Sequence, residues 1–179
     1  METLAKTKWV VDPTHSEVHF KVKHLVISTV TGTFKSFAGD LETSNEDFTD
    51  AEINFSLDTD SIDTNQAQRD DHLKSADFFD AAQFPQITFK STSFEKTGED
   101  YVLTGDLTIR DVTKPVQLNV EFGGSATDFY GNDKAGFEIN GKINRKDFGL
   151  TWNGITEAGA IVVAEDIKLS INLQFVKQA

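Results

Sequence analysis

Alternation of apolar and polar residues, repeated in one segment after another, limits this chain of 179 residues to an antiparallel β fold. The last such segment is the longest, and in it single polar residues separate Ile167, Leu169, Ile171, Leu173 and Phe175. Because successive side chains of a strand point to opposite faces, each segment has one apolar face and one solvated face. That pattern is typical of antiparallel sheets, whereas the parallel sheets of α/β proteins bury both faces.

Eight segments of this kind predict eight strands joined by short turns. Their predicted ranges are 16–27, 31–43, 50–59, 86–94, 101–110, 115–123, 134–145 and 161–176. The long final strand can pair with an early one, which would remove both edges of the sheet. Gly39, Gly105 and Gly141 fall on inward positions, where glycine is typical of bends and leaves room in the interior. The sequence therefore predicts an all-β fold, an eight-stranded antiparallel barrel formed by a single domain over residues 1–179.

A short helical insertion at about 64–83 interrupts the β pattern with helical spacing and clustered polar residues. Thr64 is the predicted N-cap of a helix over 65–74, and a second short helix is predicted over 78–83. The conspicuous residues of the insertion are Arg69, Asp70, Asp71, His72, Phe78 and Phe79. A polar segment followed by aromatic residues is what we expect at the mouth of a barrel that closes over a ligand.

Composition and charge exclude several classes of function. A formal net charge of −12 argues against binding nucleic acid or an anionic membrane surface. The chain has no cysteine, so it has no disulfide and no thiolate ligand, and its four histidines lack the spacing of a metal site. No apolar run approaches the ~20 residues of a membrane span and no secretory signal is evident, so we expect a cytoplasmic protein without an integral membrane segment.

The 15 phenylalanines bear on what the barrel could contain. An eight-stranded barrel is either filled by its own side chains or wide enough for one small ligand. A lumen lined by Phe20, Phe37, Phe55, Phe89 and Phe137 would be dry and would favour an apolar guest. The alternative is that the same rings make an ordinary core. The inward glycines favour an open lumen, but the sequence does not decide between an open lumen and a filled core.

Three polar residues are candidates for contact with the polar head of a guest. His24 shares a strand face with Val22, so it is predicted to point inward, where a polar group needs a hydrogen-bond partner. Arg69 and His72 belong to the insertion and are predicted at the rim. The alternatives are a backbone hydrogen bond for His24 and surface ion pairs between Arg69 and the aspartates that follow it.

Five segments of the chain resemble the YceI-like family of bacterial lipid-binding proteins. They are WVVDPTHSEVHFKVKHL, TGTFKSFAGDL, SIDTNQAQRDDHLKSADFFDAAQFPQITFKST, LTGDLTIRDVTKPVQL and AGFEINGKINRKDFGLTW. Together they cover nearly the whole chain in the family's order. The sequence departs from the family at Asp111, where glycine is common, and we expect the turn to survive because Asp tolerates a left-handed conformation. Pro115, shortly after it, is expected at the start of a strand.

The resemblance implies a lipocalin-like barrel that holds a long amphiphile, such as a polyisoprenoid or an isoprenoid quinone, for storage or transfer. It implies no enzymatic activity and no cofactor besides the bound lipid, and a homodimer as one arrangement, since members are often dimeric. Many members are exported, which differs from the compartment expected above. With only three arginines and a net charge of −12, the chain favours a neutral head such as a quinone or an amide.

The family also suggests where the ligand would lie, among the strands of the first half of the chain and the insertion. The ligand-binding residues predicted in this way are Phe20, Val22, His24, Phe37, Phe55, Arg69, His72, Phe79 and Phe89. Two alternatives stay open at this stage. One is an enzyme that acts on a bound amphiphile through Arg69, Asp70 and His72, and the other is a filled barrel that serves as an interaction module.

Overall fold

The alternating segments form strands that are all antiparallel to their neighbours. The computed structural model describes residues 6–25, 27–45, 47–151 and 163–178. Its strands are β1 (Thr7–Val11), β2 (Glu17–His24), β3 (Ser28–Phe34), β4 (Phe37–Thr43), β5 (Glu52–Asp58), β6 (Ile62–Asp63), β7 (Gln86–Thr97), β8 (Asp100–Ile109), β9 (Val112–Thr127), β10 (Asp133–Asn144) and β11 (Val163–Lys177). The helix α1 covers Ala67–Leu73, and 3-10 turns cover Pro13–His15, Thr59–Ser61 and Arg145–Phe148.

Closure of the sheet depends on β1, which pairs with a strand on each side. Trp9 lies opposite Leu41 of β4 and opposite Lys177 of β11. The ring runs β1-β4-β5-β7-β8-β9-β10-β11 and returns to β1, which makes a closed barrel of eight strands. The predicted barrel is therefore confirmed, and so is the pairing of the last strand with an early one.

Three neighbouring stretches of the wall each consist of two strands with a break between them, namely β1 and β2, β3 and β4, and β5 and β6. These breaks explain which strands the sequence analysis missed or merged. β2 follows β1 along β11, and β3 pairs with β2, so the predicted strand over 31–43 is in fact β3 and β4. At the break, the Lys35 N–H donates to the Ser61 carbonyl at 3.2 Å, and the Asp58 N–H donates to the Ser36 carbonyl at 2.9 Å. The short strand β1 was not predicted. Residue 26 and the predicted start of the last strand at 161 lie outside the described residues.

The turn between β8 and β9 has only two residues, Arg110 and Asp111, with φ of 50° and 66°. Two consecutive left-handed residues are the geometry of tight hairpins, and the expectation that Asp111 supports this turn is confirmed. The expectation for Pro115 is wrong, because it lies inside β9 opposite Asp106 rather than at a strand start. β9 tolerates it because the pairing of β9 with β10 extends only as far as Asn119, so among the described strands β8 alone pairs with Pro115.

The insertion contains one short helix, and the second predicted helix is wrong. Residues 74–83 form successive turns, and Asp80 has a φ of 49°, which a right-handed helix does not allow. Thr64 is not the N-cap, because α1 begins after Gln66. Its N–H and hydroxyl instead donate to the Asp70 carboxylate at 2.8 and 2.5 Å. In the described part of the chain, no helix has the length and apolar character needed to cross a bilayer.

The end of the barrel remote from α1 is filled by aromatic rings, which we call the aromatic plug. Its members are Trp9, Phe48, Phe94, Tyr101, Phe122, Phe137 and Phe175. Phe48 is central, with ring centroids 5.4 Å from Trp9, 5.5 Å from Phe122 and 5.3 Å from Phe137. Such pairs contribute about 0.5–1.5 kcal/mol each beyond area burial. Phe137, which was expected to line the lumen, therefore belongs to the closed end.

The loop between β4 and β5 holds Phe48 in place against an unfavourable backbone conformation. Phe48 has a φ of 63°, which is uncommon for a bulky residue, and only 3% of it is exposed. The Asp50 carboxylate accepts hydrogen bonds from the Ser44 N–H and from the hydroxyls of Ser44 and Thr43. The Tyr101 hydroxyl donates to the Asp47 carbonyl at 2.5 Å. Burial opposes ionisation of Asp50, but these hydrogen bonds outweigh it and hold its pKa well below the usual range.

Replacement of Phe48 by Ala should remove the centre of the plug and leave a cavity. We expect Phe48→Ala to lower the free energy of unfolding by about 3–5 kcal/mol, the usual cost of deleting a buried ring. Urea denaturation measures it, with Phe129→Ala as the control. Phe129 is fully exposed, so its replacement should change stability by less than about 0.5 kcal/mol. Equal effects of the two substitutions would contradict the plug.

The hydrogen bonds of Asp50 should make the loop sensitive to acid. The pKa of Asp50 is lower in the folded chain than its usual value, so its stabilisation is present above about pH 4 and is lost as the pH falls through the folded pKa. We therefore expect the stability difference between the wild type and Asp50→Asn to be largest near neutral pH and to shrink on acidification. Denaturation curves at several pH values test this, with the exposed Asp71→Asn as the control. A difference that does not depend on pH would contradict the role of the carboxylate.

Candidate functional site

The barrel is not filled between the aromatic plug and α1. It contains a cavity of about 180 Å³. A single water needs roughly 10–15 Å³ of such space, so the cavity is more than ten times that requirement. The sequence left an open and a filled lumen as alternatives, and the structure has the open one.

The wall of the cavity is almost entirely apolar. Among the described residues that line it, all are aliphatic or aromatic except His19, Thr88 and Arg145. Strands β9, β10 and β11 contribute branched aliphatic side chains such as Leu118 and Ile139. A cavity with so few polar partners does not hold water well and suits an apolar guest.

Three phenylalanine rings of the wall lie over glycines of neighbouring strands. The pairs are Phe20 with Gly32, Phe55 with Gly39, and Phe89 with Gly105. A Cβ at any of these glycines would lie less than 3.0 Å from the ring. The inward glycines were expected to leave empty room, and that interpretation is corrected, because side chains occupy the space above them. Gly141 follows the same rule, with Leu118 above it.

Of the nine predicted ligand-binding residues, five lie in the cavity wall. They are Phe20, Val22, Phe55, Phe79 and Phe89. Phe37 does not line the cavity, and its ring stacks on that of Phe55 with centroids 5.9 Å apart. Phe37 therefore packs on a lining ring without lining the cavity itself, and direct contact with a ligand stays a prediction for all nine residues.

His24 occupies the last position of β2 and is only half-buried. It pairs with Ser28 of β3 and Val163 of β11, and the Ser28 hydroxyl donates to its carbonyl at 3.1 Å. The cavity wall does not include His24, although Val22 two residues earlier belongs to it. β2 ends at His24, so the alternation of inward and outward side chains, which predicted an inward His24, stops at this residue.

Among the polar residues of the insertion, Arg69 and Asp70 share Thr64 as a partner, whereas His72 lies against Asp77. Arg69 donates from Nε to the Thr64 hydroxyl at 2.7 Å and from Nη2 to the Thr64 carbonyl at 2.5 Å, whereas the alternative to a ligand contact was an ion pair with a neighbouring aspartate. His72 Nε2 lies 2.9 Å from Asp77 Oδ2, and the His72 ring meets Phe78 edge to face. Arg69 and His72 therefore bind different groups, and neither belongs to the cavity wall.

The apolar residues of the insertion cover the end of the lumen opposite the plug. Leu73, Phe78 and Phe79 line the cavity from this side, and the Phe79 ring packs edge to face on Phe34 with centroids 5.8 Å apart. Arg110 Nη1 donates to the Phe78 carbonyl at 2.9 Å and so ties the insertion to the β8–β9 turn. The insertion thus lies at the mouth, as the sequence analysis expected.

Among the described residues of the cavity wall that sequence reasoning did not single out, Arg145 is the charged one. It lines the cavity at the end of β10 and is 2% exposed. Its guanidinium donates to the carbonyls of Leu150 at 2.7 Å, Ala164 at 2.9 Å and Val163 at 3.2 Å. Burial lowers the pKa of Arg145 and nearby Glu165 opposes the shift, yet an arginine stays charged in proteins. No pattern in the sequence pointed to it, because most arginines are exposed and this one follows an ordinary strand.

The sequence and the fold are both similar to those of known proteins. The family model described as the YceI-like domain matches residues 9–175. Protein YceI of Salmonella newport is 41% identical over 164 residues, which cover 92% of this chain and 83% of that protein. The crystal structure of the Campylobacter jejuni YCEI protein has a TM-score of 0.74 and 33% identity, and covers 88% of this chain and 90% of that one.

Two more distant solved structures share the fold. BcnA of Burkholderia cenocepacia has a TM-score of 0.80 at 23% identity and covers 92% of this chain and 98% of its own. A polyisoprenoid-binding domain from Saccharophagus degradans has a TM-score of 0.67 at 18% identity and covers 98% of this chain and 100% of its own. At these identities the likeness concerns the fold alone.

Loss of the Arg145 guanidinium should destabilise the mouth of the barrel. In Arg145→Met the carbonyls of Leu150, Ala164 and Val163 lose their hydrogen-bond donor. Each acceptor left buried without a partner costs about 1–3 kcal/mol of stability. We expect a loss of at least about 2 kcal/mol in the free energy of unfolding, and only partial recovery in Arg145→Lys, which has no planar fork of donors. Chemical denaturation measures both. Lys142→Met, at an exposed site of the same strand, is the control, and an equal effect there would overturn the assignment.

Proposed function

The chain belongs to the YceI-like family, and from this premise and the geometry of the lumen we propose that it binds a long amphiphilic lipid. The lipid is a polyisoprenoid or an isoprenoid quinone, held in the barrel for storage or transfer. One observation carries the proposal, the apolar cavity between the aromatic plug and the insertion. The similar fold of a polyisoprenoid-binding domain supports an isoprenoid as the guest.

The physics of burial favours a long apolar tail in such a lumen. Each methylene-sized group removed from water contributes about 0.8 kcal/mol, so a five-carbon isoprene unit contributes roughly 3–4 kcal/mol before ordering costs. Affinity would then grow with the number of units that fit between the plug and the mouth. The wall offers few hydrogen bonds, so discrimination among heads would come from the mouth.

We propose that the head lies towards the insertion and the tail towards the plug. The net charge of −12 and the scarcity of arginine favour a neutral head such as a quinone or an amide. Arg145, a buried cation in the wall near the mouth, would give a favourable field for a carbonyl oxygen of such a head. His24, Arg69 and His72 lie outside the wall, so any contact from them would involve a part of the head that projects beyond the lumen.

A binding role without chemistry fits the arrangement of the polar residues better than an enzymatic one. Asp70 accepts hydrogen bonds from Thr64, while the His72 ring lies against Asp77 and Phe78. A general acid or base needs a neighbour within reach that completes the reaction, but Arg69 and Asp70 are both engaged by Thr64, and His72 is bound to a different group.

Native mass spectrometry of the purified protein tests the proposal. We expect the wild type to carry a lipid that is lost on organic extraction, and to take up an isoprenoid quinone afterwards. Phe55→Trp enlarges a ring of the wall and should reduce lipid occupancy at least tenfold. Asn54→Trp is the matched control, because Asn54 is the exposed neighbour on the outer face of the same strand. A wild type without lipid that takes up none would refute the proposed function.

A further inference from the structure

Three phenylalanine rings of the lumen are kept against the wall by glycines, and this arrangement fixes the width of the cavity. Phe20 lies directly opposite Gly32 in the β2–β3 register, and Phe55 lies opposite Gly39 in the β4–β5 register. Phe89 of β7 lies over Gly105 of β8. All three rings line the cavity, so their position decides how much of its cross-section is open.

Gly32 gives the clearest case, because the three atoms nearest to an added Cβ all belong to the Phe20 ring. The three heavy atoms nearest to a Cβ at this position are Cζ, Cε1 and Cε2 of Phe20, and all lie closer than 3.0 Å. At Gly105 and Gly39 the backbone carbonyls of Lys90 and Asn54 are also close, so a Cβ there would press on the main chain as well. A methyl group at position 32 would therefore displace the Phe20 ring.

The displaced ring has to move towards the lumen. Phe20 is 8% exposed and packs against Phe34 with ring centroids 5.5 Å apart, so the dense wall leaves little space to the side. The cavity is the open volume next to the ring. An alanine at position 32 would thus narrow the lumen without adding a large side chain.

We propose that Gly32, Gly39 and Gly105 determine specificity, because they make the lumen wide enough for a methyl-branched chain. This inference rests on the proposed function and names the class of its ligand. An isoprenoid carries a methyl branch on every fourth carbon of its backbone, so it needs a wider channel than a straight chain of the same length. If the rings were displaced from the wall into the lumen, the narrower channel would bind a straight chain more tightly than a branched one.

A matched pair of alcohols tests the width. Phytanol, the fully saturated form of geranylgeraniol, and hexadecan-1-ol have saturated backbones of the same length, and only the first is branched. Displacement of a fluorescent apolar probe from the lumen gives both affinities. We expect Gly32→Ala to weaken phytanol binding at least tenfold and hexadecan-1-ol binding by a smaller factor. The double variant Gly32→Ala/Phe20→Leu should recover branched-chain binding, because the shorter side chain leaves the methyl group its space.

Gly136→Ala is the control variant, because no atom lies within 4 Å of a Cβ at that position. It should bind both alcohols as the wild type does. Equal losses for the two alcohols in Gly32→Ala, or no loss in a variant with an intact circular dichroism spectrum, would overturn the inference.

A second readout separates this inference from the proposed function. If the wild type binds neither alcohol, the proposed function fails, and the displacement of the ring is then measured by xenon uptake into the cavity. Gly32→Ala should take up less xenon than the wild type and than Gly136→Ala. Equal uptake by all three proteins would show that the glycine does not set the width.

Discussion

Closure of the hydrogen-bonded ring through β1 is the constraint on which the rest of the structure depends. A sheet with open edges exposes unpaired backbone groups, and closure removes them. Here β1 joins the last strand, β11, through three residue pairs from Trp9 to Val11, and it joins β4 on its other side through four pairs from Thr7 to Val10. Once the wall satisfies its own backbone, the interior needs no polar groups, and an apolar cavity can persist inside it.

Aromatic residues serve two different purposes in this interior. At one end Phe48 and its neighbours fill the barrel completely, with rings tilted against one another. Further along, Phe20, Phe55 and Phe89 lie over glycines and leave the centre open. The same residue type thus closes the lumen where rings meet rings, and opens it where rings meet bare backbone. The position of glycine on the neighbouring strand makes the difference.

Local chemistry made several features predictable from the sequence. The eight-stranded wall followed from alternation, and the turn at Asp111 followed from the tolerance of Asp for left-handed backbone. The helix over 78–83 was wrong because a pattern of apolar residues does not reveal that Asp80 adopts a positive φ. Thr64 had the chemistry of an N-cap, but its hydroxyl instead donates to Asp70 and accepts from Arg69.

The sequence by itself determined the class of fold, the apolar character of the interior and the place of the insertion, because each depends on residues close together in the chain. Only the tertiary structure decided that the lumen is open, that Phe137 belongs to the plug, and that Arg145 is buried in the wall. These facts depend on which residues meet across strands, such as Phe20 with Gly32. Alternation fixes the face of a side chain, but the register between strands fixes what stands opposite it.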